Sequence, residues 1–422
     1  MIIHQPEILQ DATHTTVWAQ ISIDKKQGFF PEYVWYRVPR RYGEGLTARS
    51  DAFLIPALLA GMYFDENIEV RGAVSPQLAY HLKEYQFILR FRFPQYLKQI
   101  EIKYHQLKPM SGRPKGVGTT FSGGADSLFT LWKHLPQNQP DPDYQVTHVV
   151  FIKGFDILHT AESHYSLLLD RYTPWVEKMG LSLIPMETNI VGLTHQRLPL
   201  SYFHGPYIVA PAVALAGLFH RFYIPSSWDY HNLKKKAYAS DPLVDALLSS
   251  ETLDIINHGT THRRVEKVAE IADWDLAHNL LFVCQEHRFE VPAWNCSRCE
   301  KCVRTMIPLF ALGKLDLFKT FARPFRKNWE GLWWARKFSL RHDFVTEMFP
   351  FVKHHKPDFV LWLRIAAFLG YIRYFLVTRM PGFVRHWLRR FGYYVTRNEE
   401  PEAYELAKVT ETIRAEHDHP RT

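Results

Sequence analysis

Between about residue 113 and residue 314, short apolar runs typical of strands alternate with segments of helical length. A strand followed by a helix and a second strand forms a βαβ unit, and repeated units build a mainly parallel sheet with helices on both faces. The alternation therefore predicts an α/β fold, whose ligands bind at the carboxyl ends of the strands. The predicted strands are 118–121, 146–152, 181–187, 222–225, 253–257 and 280–283.

Two regions of different pattern flank the alternating one. Residues 1–112 mix strand-like runs with two predicted helices, one of which begins at Ser50 and Asp51, and are predicted to form an N-terminal α+β domain. The loop 108–116 is dense in turn residues and marks the expected end of that domain. Residues 315–422 are rich in aromatic residues and arginine, and are predicted to form a C-terminal helical module.

Composition and charge narrow the class of protein. The 422 residues are 46% hydrophobic and 22% charged, which excludes a disordered chain. Four clustered cysteines do not suit a secreted disulfide scaffold, and no signal peptide is evident, so we expect a cytoplasmic protein. The net charge of +8 is unevenly distributed: residues 323–397 hold 15 basic and 4 acidic side chains, whereas residues 398–422 hold 3 and 7. The basic character belongs to the C-terminal module.

The most informative segment is a glycine-rich stretch after the first strand of the alternating region. This strand runs into Ser122-Gly123-Gly124, and a helix is predicted to begin near Asp126 and Ser127. Two consecutive glycines allow backbone N–H groups to converge on one anion, and the positive end of the helix dipole points to the same place. The pattern predicts a phosphate or pyrophosphate site, with Asp126 and the phosphate sharing a divalent cation. An ordinary Gly-Gly turn capped by the following residues is the alternative.

These residues resemble the SGG-x-DS motif of the PP-loop ATP pyrophosphatases, and the chain has no Walker-type G-x-x-x-x-G-K-[ST] sequence. Members of that superfamily hold the β- and γ-phosphates of ATP in this loop, attach AMP to a substrate oxygen and release pyrophosphate. The resemblance implies a PP-loop core for residues 113–314. It also implies that ATP and Mg²⁺ are bound by Ser122, Gly123, Gly124, Asp126 and Ser127, with Asp126 a catalytic residue.

The four cysteines form a second motif. Cys284 precedes Cys296 by twelve residues, and Cys299 and Cys302 follow at C-x-x-C spacing. Four thiolates suit tetrahedral Zn²⁺, and a site that uses four cysteines and no water is a closed structural site rather than a catalytic one. The sequence therefore predicts structural zinc. The alternatives are an iron–sulfur cluster, a redox-active C-x-x-C pair and unliganded core cysteines.

A PP-loop followed by such a cysteine site and by Arg304 resembles 7-cyano-7-deazaguanine synthase and its relatives over about residues 115–312. Those enzymes use ATP and ammonia to convert a carboxylate into an amide and then a nitrile, and their zinc is structural. The resemblance implies an ATP-dependent ligase that activates an oxygen of a small-molecule substrate, a carboxylate or an amide, and transfers ammonia or another nucleophile. Both flanking regions lie outside the resemblance, so it does not specify the substrate.

Three other functions are compatible with the same motifs. Amidation of a glycan precursor would suit a C-terminus that faces a membrane. Modification of a tRNA base would suit a basic module that contacts phosphates. A non-catalytic sensor would bind nucleotide without turnover. If all four cysteines hold zinc, none is left to carry sulfur, which favours ammonia as the nucleophile.

Residues that follow the other strands are further candidates. Phe151 and Gly154 lie, by resemblance, where PP-loop enzymes hold adenine through backbone groups, and an ordinary strand-end turn is the alternative for Gly154. A cation after the fifth strand would stabilise charge on the α-phosphate, as it does in several PP-loop relatives. Arg263 and Lys267 are therefore candidate catalytic residues, beside Arg264. Solvated charge on a helix is the alternative for all three.

Asp241 stands before Pro242 after the fourth strand. Aspartate at the N-cap and proline at the first helical position are a frequent combination, and this is the preferred interpretation. A role in binding substrate or metal is the alternative.

The C-terminal module contains two apolar segments. Residues 359–377 form an apolar run that is interrupted by Arg364 and Arg373, which makes it a poor membrane span. Residues 383–395 are predicted to form an amphipathic helix, with arginines on one face and aromatic side chains on the other. This helix is expected to make a peripheral contact with an anionic membrane. RNA binding and packing on the domain core are the alternatives.

Overall fold

An eleven-stranded mixed sheet is formed by strands between Ile2 and His258 in the described part of the chain. The structure is a computed structural model, and it describes residues 1–24, 30–194, 200–234, 238–284, 295–297, 299–335 and 342–379. The strands are β1 (Ile2–Ile3), β2 (Glu7–Gln10), β3 (His14–Ser22), β4 (Tyr33–Pro39), β5 (Ile68–Val74), β6 (Ile102–Leu107), β7 (Gly116–Thr120), β8 (His148–Lys153), β9 (Ser182–Thr188), β10 (Phe219–Pro225) and β11 (Asp254–His258).

The strand order is β11-β10-β7-β8-β9-β4-β3-β1-β5-β6, and β2 pairs with β3 beside this path. Every neighbouring pair from β11 to β9 is parallel. β4 pairs with β9 in the antiparallel direction, and the N-terminal strands extend the sheet from there. The predicted α/β fold with a mainly parallel sheet is therefore confirmed.

Seven helices accompany the described strands: α1 (Asp51–Phe64), α2 (Pro76–Arg92), α3 (Ala125–Lys133), α4 (Glu162–Lys178), α5 (Leu200–Ala214), α6 (Tyr230–Leu233) and α7 (Pro242–Ala246). α1 is apolar on every face, is buried over most of its length, and packs against α5. Ser50 precedes α1 as predicted, but its hydroxyl makes no capping hydrogen bond. The buried Asp51 carboxylate instead accepts the Ser75 N–H at 2.8 Å and pairs with Arg49 at 2.9 Å.

The described chain forms two compact units whose bounds differ from the predicted domains. The first unit contains residues 1–122 and 126–262, and the second contains 123–125 and the described residues from 263 onward. The predicted boundary near residue 112 lies inside the first unit, because β4 pairs with β9 and places the N-terminal strands in the same sheet as the parallel ones. The predicted boundary near residue 314 lies inside the second unit.

Two polar side chains at the end of β9 strengthen its junction with β4. The Thr188 hydroxyl donates to the Trp35 carbonyl at 2.7 Å. The Asn189 amide accepts the Trp35 N–H at 3.0 Å and donates to the Tyr33 carbonyl at 2.7 Å. Only two residue pairs align in the β4–β9 ladder, so these buried side-chain bonds extend a short contact between strands.

The described part of the second unit is helical, with α8 (Arg264–Glu270), α9 (Asp275–Leu280), α10 (Glu300–Ala311), α11 (Asn328–Ala335), α12 (His342–His355) and α13 (Val360–Arg379). The strand predicted at 280–283 is absent: Leu280 ends α9, and the following residues have no regular structure. None of the described helices is long and apolar enough to cross a membrane. The amphipathic helix predicted at 383–395 lies outside the described residues.

We expect Asn189→Leu to lower the free energy of unfolding by about 1–3 kcal/mol, because leucine leaves the Trp35 N–H and the Tyr33 carbonyl buried without these partners. Urea denaturation followed by circular dichroism measures the change. Asn138→Leu is the matched control, since the Asn138 amide bonds the Trp132 carbonyl at an exposed position. Equal losses in the two variants would contradict a special role for Asn189 at the β4–β9 junction.

Candidate functional site

The glycine-rich loop follows β7 at the point where the sheet connections reverse direction. The chain passes from β7 to β8 and β9 on one side, and then returns to β10 and β11 on the other. The connections after the neighbouring strands β7 and β10 therefore leave in opposite directions, and a crevice opens between them in sheets of this kind. Residues 121–124 follow β7 at this place, and Ser226 and Ser227 follow β10.

The loop combines a left-handed glycine with the start of a helix, two local features that favour anion binding. Gly123 has a φ of 71°, a left-handed conformation that glycine adopts without the strain of a side chain. Ser122 is exposed, and both its N–H and its hydroxyl lie 3.4 Å from the buried Ser127 hydroxyl. Asp126 is half-buried in the first turn of α3. A strand end, a left-handed glycine and a helix N-terminus thus follow one another directly.

The strand ends of the first unit also bring together polar groups that the sequence reasoning did not connect. Burial, followed by the carboxylates of Asp245, Asp156 and Asp126, raises the pKa of the half-buried Tyr238 phenol, and a hydrogen bond with Ser227 opposes this shift. Asp126 therefore lies close enough to Tyr238 to affect its pKa, as do Asp156 after β8 and Ser227 after β10. Asp156 could have been found from its place just after a strand, whereas no local signal marks Tyr238.

Phe151 and Gly154 have structural roles in the first unit. The Phe151 ring is buried and stacks on Tyr165, with centroids 5.0 Å apart and planes 6° apart, so only the backbone of this residue is left for a ligand. Gly154 has a φ of 109°, and a Cβ atom there would collide with the Thr188 carbonyl oxygen. Its N–H donates to the Ile157 carbonyl at 2.8 Å. The strand-end turn accounts for glycine at this position.

Arg263 and Lys267 belong to the second unit and do not share one solvated helix face. Arg263 is the N-cap of α8, and its N–H donates to the Glu266 carboxylate at 2.7 Å. Lys267 is 2% exposed, so the interpretation as solvated helix charge is wrong for this residue. Their catalytic roles stay predictions. Arg304 lies 3.6 Å from the Glu347 carboxylate, which also accepts the Val265 N–H at 2.8 Å.

The four cysteines meet in the second unit. Their sulfur atoms all lie within 4.8 Å of one another, and those of Cys296 and Cys302 are 3.9 Å apart. Tetrahedral zinc with Zn–S bonds of about 2.3 Å requires sulfurs roughly 3.8 Å apart. The Cys299 N–H donates to the Cys296 sulfur at 3.3 Å, and Cys299 caps α10, which carries Cys302. The cluster can hold a metal ion, and its donor set and spacing are consistent with Zn²⁺.

The charge of the cluster also fits a cation. Contacts with the Cys284 sulfur are the largest cause that raises the pKa values of the Cys299 and Cys302 thiols. Four thiolates at this spacing repel one another unless a positive ion lies between them. A bound Zn²⁺ would reverse that effect and deprotonate its ligands.

Asn295 positions the cluster, and sequence reasoning missed it. Its buried amide donates to the Leu281 carbonyl at 2.7 Å and accepts the Val283 N–H at 2.8 Å, which fixes the segment that carries Cys284. These bonds replace the ladder that the predicted strand 280–283 would have made. The Asn295 amide also donates to the Thr320 hydroxyl at 3.1 Å. The one sequence feature that could have indicated this role is the position of Asn295 directly before Cys296.

Comparisons of the chain with protein-family models, with curated proteins and with solved structures find no match.

We expect the purified protein to contain about one zinc per chain, measured by elemental analysis. Cys299→Ser should lower both the metal content and the free energy of unfolding, because the energy of metal binding contributes to folding. Ser297→Ala is the control for metal content: this buried neighbour contributes no sulfur, and its loss removes the bond that its hydroxyl accepts from the Arg323 N–H at 3.0 Å. Protein that contains iron and labile sulfide, or that loses no stability on removal of the metal, would contradict a structural zinc site.

A fully buried carboxylate lies in the first unit near Tyr238. One Asp245 oxygen accepts the Ser240 hydroxyl at 2.9 Å and the Asn257 amide at 2.7 Å, and the other has no hydrogen-bond partner among the described residues. Burial raises the pKa of Asp245 to about 7, against these two hydrogen bonds. The neighbouring Asp241 instead caps α7, accepting the Leu243 N–H at 2.9 Å, so the predicted N-cap is confirmed.

The raised pKa of Asp245 gives stability a defined pH dependence. The folded protein binds this proton more tightly than the unfolded chain, so the associated stability is present at low pH and is lost as the pH rises from about 4 to about 7. We expect Asp245→Asn to stabilise the protein at pH 8, on the order of 2 kcal/mol, and much less at pH 5. Urea midpoints at both pH values test this, with the exposed Asp170→Asn as control. A gain that does not depend on pH would contradict the prediction.

Proposed function

We propose that the protein is an ATP-dependent adenylating enzyme of the PP-loop type. The observation that supports this best is the position of its SGG-x-DS sequence. The motif follows β7, enters α3, and stands where the connections of the parallel sheet reverse direction. Ligands of open parallel sheets bind at such points, and a glycine turn before a helix N-terminus favours a phosphate group.

In this proposal the loop binds the pyrophosphate part of ATP. The left-handed Gly123 turns the backbone so that N–H groups of the loop can face the phosphate oxygens. The α3 dipole adds a partial positive charge that stabilises the same anion. Asp126, half-buried in the first turn, would hold Mg²⁺ together with the phosphates, because Mg²⁺ takes carboxylate and phosphate oxygens. Ser122 and Ser127 would position the loop through their 3.4 Å contact.

The proposed reaction has two steps. An oxygen of a carboxylate or amide substrate attacks the α-phosphorus of ATP, the bond between this phosphorus and the α,β-bridging oxygen breaks, and pyrophosphate leaves; Mg²⁺ held by Asp126 would neutralise the charge of the leaving group. Ammonia then attacks the activated carbon, loses a proton, and displaces AMP. Ammonia is the preferred nucleophile because all four cysteines of the chain lie in the buried cluster of the second unit, which leaves no thiol to carry sulfur. The zinc in that cluster would be structural, since its four sulfur donors complete a tetrahedron.

We expect the wild-type protein to bind Mg²⁺ and a non-hydrolysable ATP analogue together, and Asp126→Ala to weaken this binding by at least about tenfold, the loss of one charge-assisted metal contact. The variant should also lose pyrophosphate release while its unfolding midpoint stays close to that of the wild type. Isothermal titration with and without Mg²⁺ provides the measurement.

Asp170→Ala is the matched control, because Asp170 is an exposed aspartate on α4. Unchanged affinity and turnover in Asp126→Ala would contradict the assignment of the loop. Analogue binding without pyrophosphate release, tested with ammonia and a panel of carboxylates and amides, would favour a nucleotide sensor.

A further inference from the structure

α13 presents an exposed apolar stripe. Successive helix residues are about 100° apart, which places the members of the stripe within one arc of roughly 100° along the helix axis. Leu361 is 65% exposed and Phe368 is 64% exposed. The opposite face contributes the buried Leu363 and Ala366, and the helix packs against α11 and α12. The stripe consists of Leu361, Ile365, Phe368, Leu369 and Ile372.

The net charge around the stripe is positive. Arg364 is exposed and lies about 90° from the middle of the stripe. Lys353 is exposed at the end of the preceding helix α12, and Asp358 between the two helices is paired with Lys356 at 3.5 Å. From residue 360 to residue 397 the sequence contains seven arginines and no acidic residue. The apolar stripe therefore belongs to a strongly basic segment.

We propose that the α13 stripe docks on the surface of an anionic lipid bilayer. An apolar face beside cationic side chains is the arrangement of a helix that lies in the membrane interface, where the apolar groups enter the boundary and the arginines meet lipid phosphates. Anionic headgroups complement the charge of the segment. The proposed contact is peripheral, since the stripe occupies one face of α13 and the opposite face packs within the second unit. This inference does not depend on the ATP chemistry.

Charge also argues against two other occupants of the stripe. A second copy of α13 packed across a twofold axis would bring the arginine-rich segments of both chains together, and like charges repel. The sequence that directly follows α13, residues 380–397, carries four arginines and no acidic residue, so folding it back onto the stripe would also place like charges side by side. A bilayer surface satisfies both the apolar and the charged groups.

The test is binding of the full-length protein to vesicles of phosphatidylcholine alone and of phosphatidylcholine mixed with phosphatidylglycerol, measured by co-sedimentation. We expect binding to the mixed vesicles that weakens at high salt but persists, because the apolar contact is not screened. Phe368→Glu should weaken it by at least about tenfold, and Leu361→Ser by a smaller factor. Phe87→Glu is the matched control: Phe87 is an exposed phenylalanine on α2, and its substitution should change binding less than twofold.

A fluorescent label shows whether the stripe is free before vesicles are added. The Ile365→Cys variant is labelled with an environment-sensitive dye. The dye reacts with the introduced thiol, because position 365 is exposed and the four native cysteines are buried. We expect emission typical of water in the free protein and a blue shift with mixed vesicles. A label already shielded without vesicles would overturn the proposal in favour of a second copy or of another segment of the chain. Absence of vesicle binding, or equal losses in Phe368→Glu and Phe87→Glu, would also overturn it.

Discussion

Parallel pairing of β7 with both β8 and β10 is the constraint on which the rest of the first unit depends. Parallel neighbours cannot be joined by a tight turn, so each connection must cross the sheet and return through a helix. Because the chain fills one side of β7 before the other, the connections reverse direction next to this strand. The strand pairing therefore places the glycine loop at this reversal, and the residues of the loop determine only the turn and the start of the helix.

Two buried asparagines make hydrogen bonds to backbone groups that a strand ladder would otherwise satisfy. Asn189 bonds the backbone of β4 beside a ladder of only two aligned residue pairs. Asn295 bonds the backbone before Cys284, where a strand would otherwise be needed, and so positions the cysteine cluster within the second unit. In both places one amide side chain supplies a donor and an acceptor to backbone groups that burial would leave unsatisfied.

The two units differ in the ionisable side chains that they contain. The first unit buries carboxylates: burial raises the pKa values of Asp51 and Asp245 against the hydrogen bonds they accept. The described second unit gathers thiols whose mutual contacts favour a metal cation, and it ends in a helix that carries arginines and no acidic residue. In the function proposed above, the half-buried Asp126 beside the glycine loop would hold magnesium, and in the further proposal the basic helix with its apolar stripe would meet an anionic surface.

The sequence by itself determined the features that depend only on residues close together in the chain. The strand–glycine–helix junction, the clustering of cysteines at C-x-x-C spacing and the Asp241 cap all depend on contacts within a few residues or on side-chain type. The tertiary structure alone decided that β4 extends the parallel sheet, that 280–283 is not a strand, and that Lys267 is buried. It also decided which face of α13 stays exposed. These outcomes depend on partners distant in sequence, and a local pattern of polar and apolar residues does not specify which partner satisfies it.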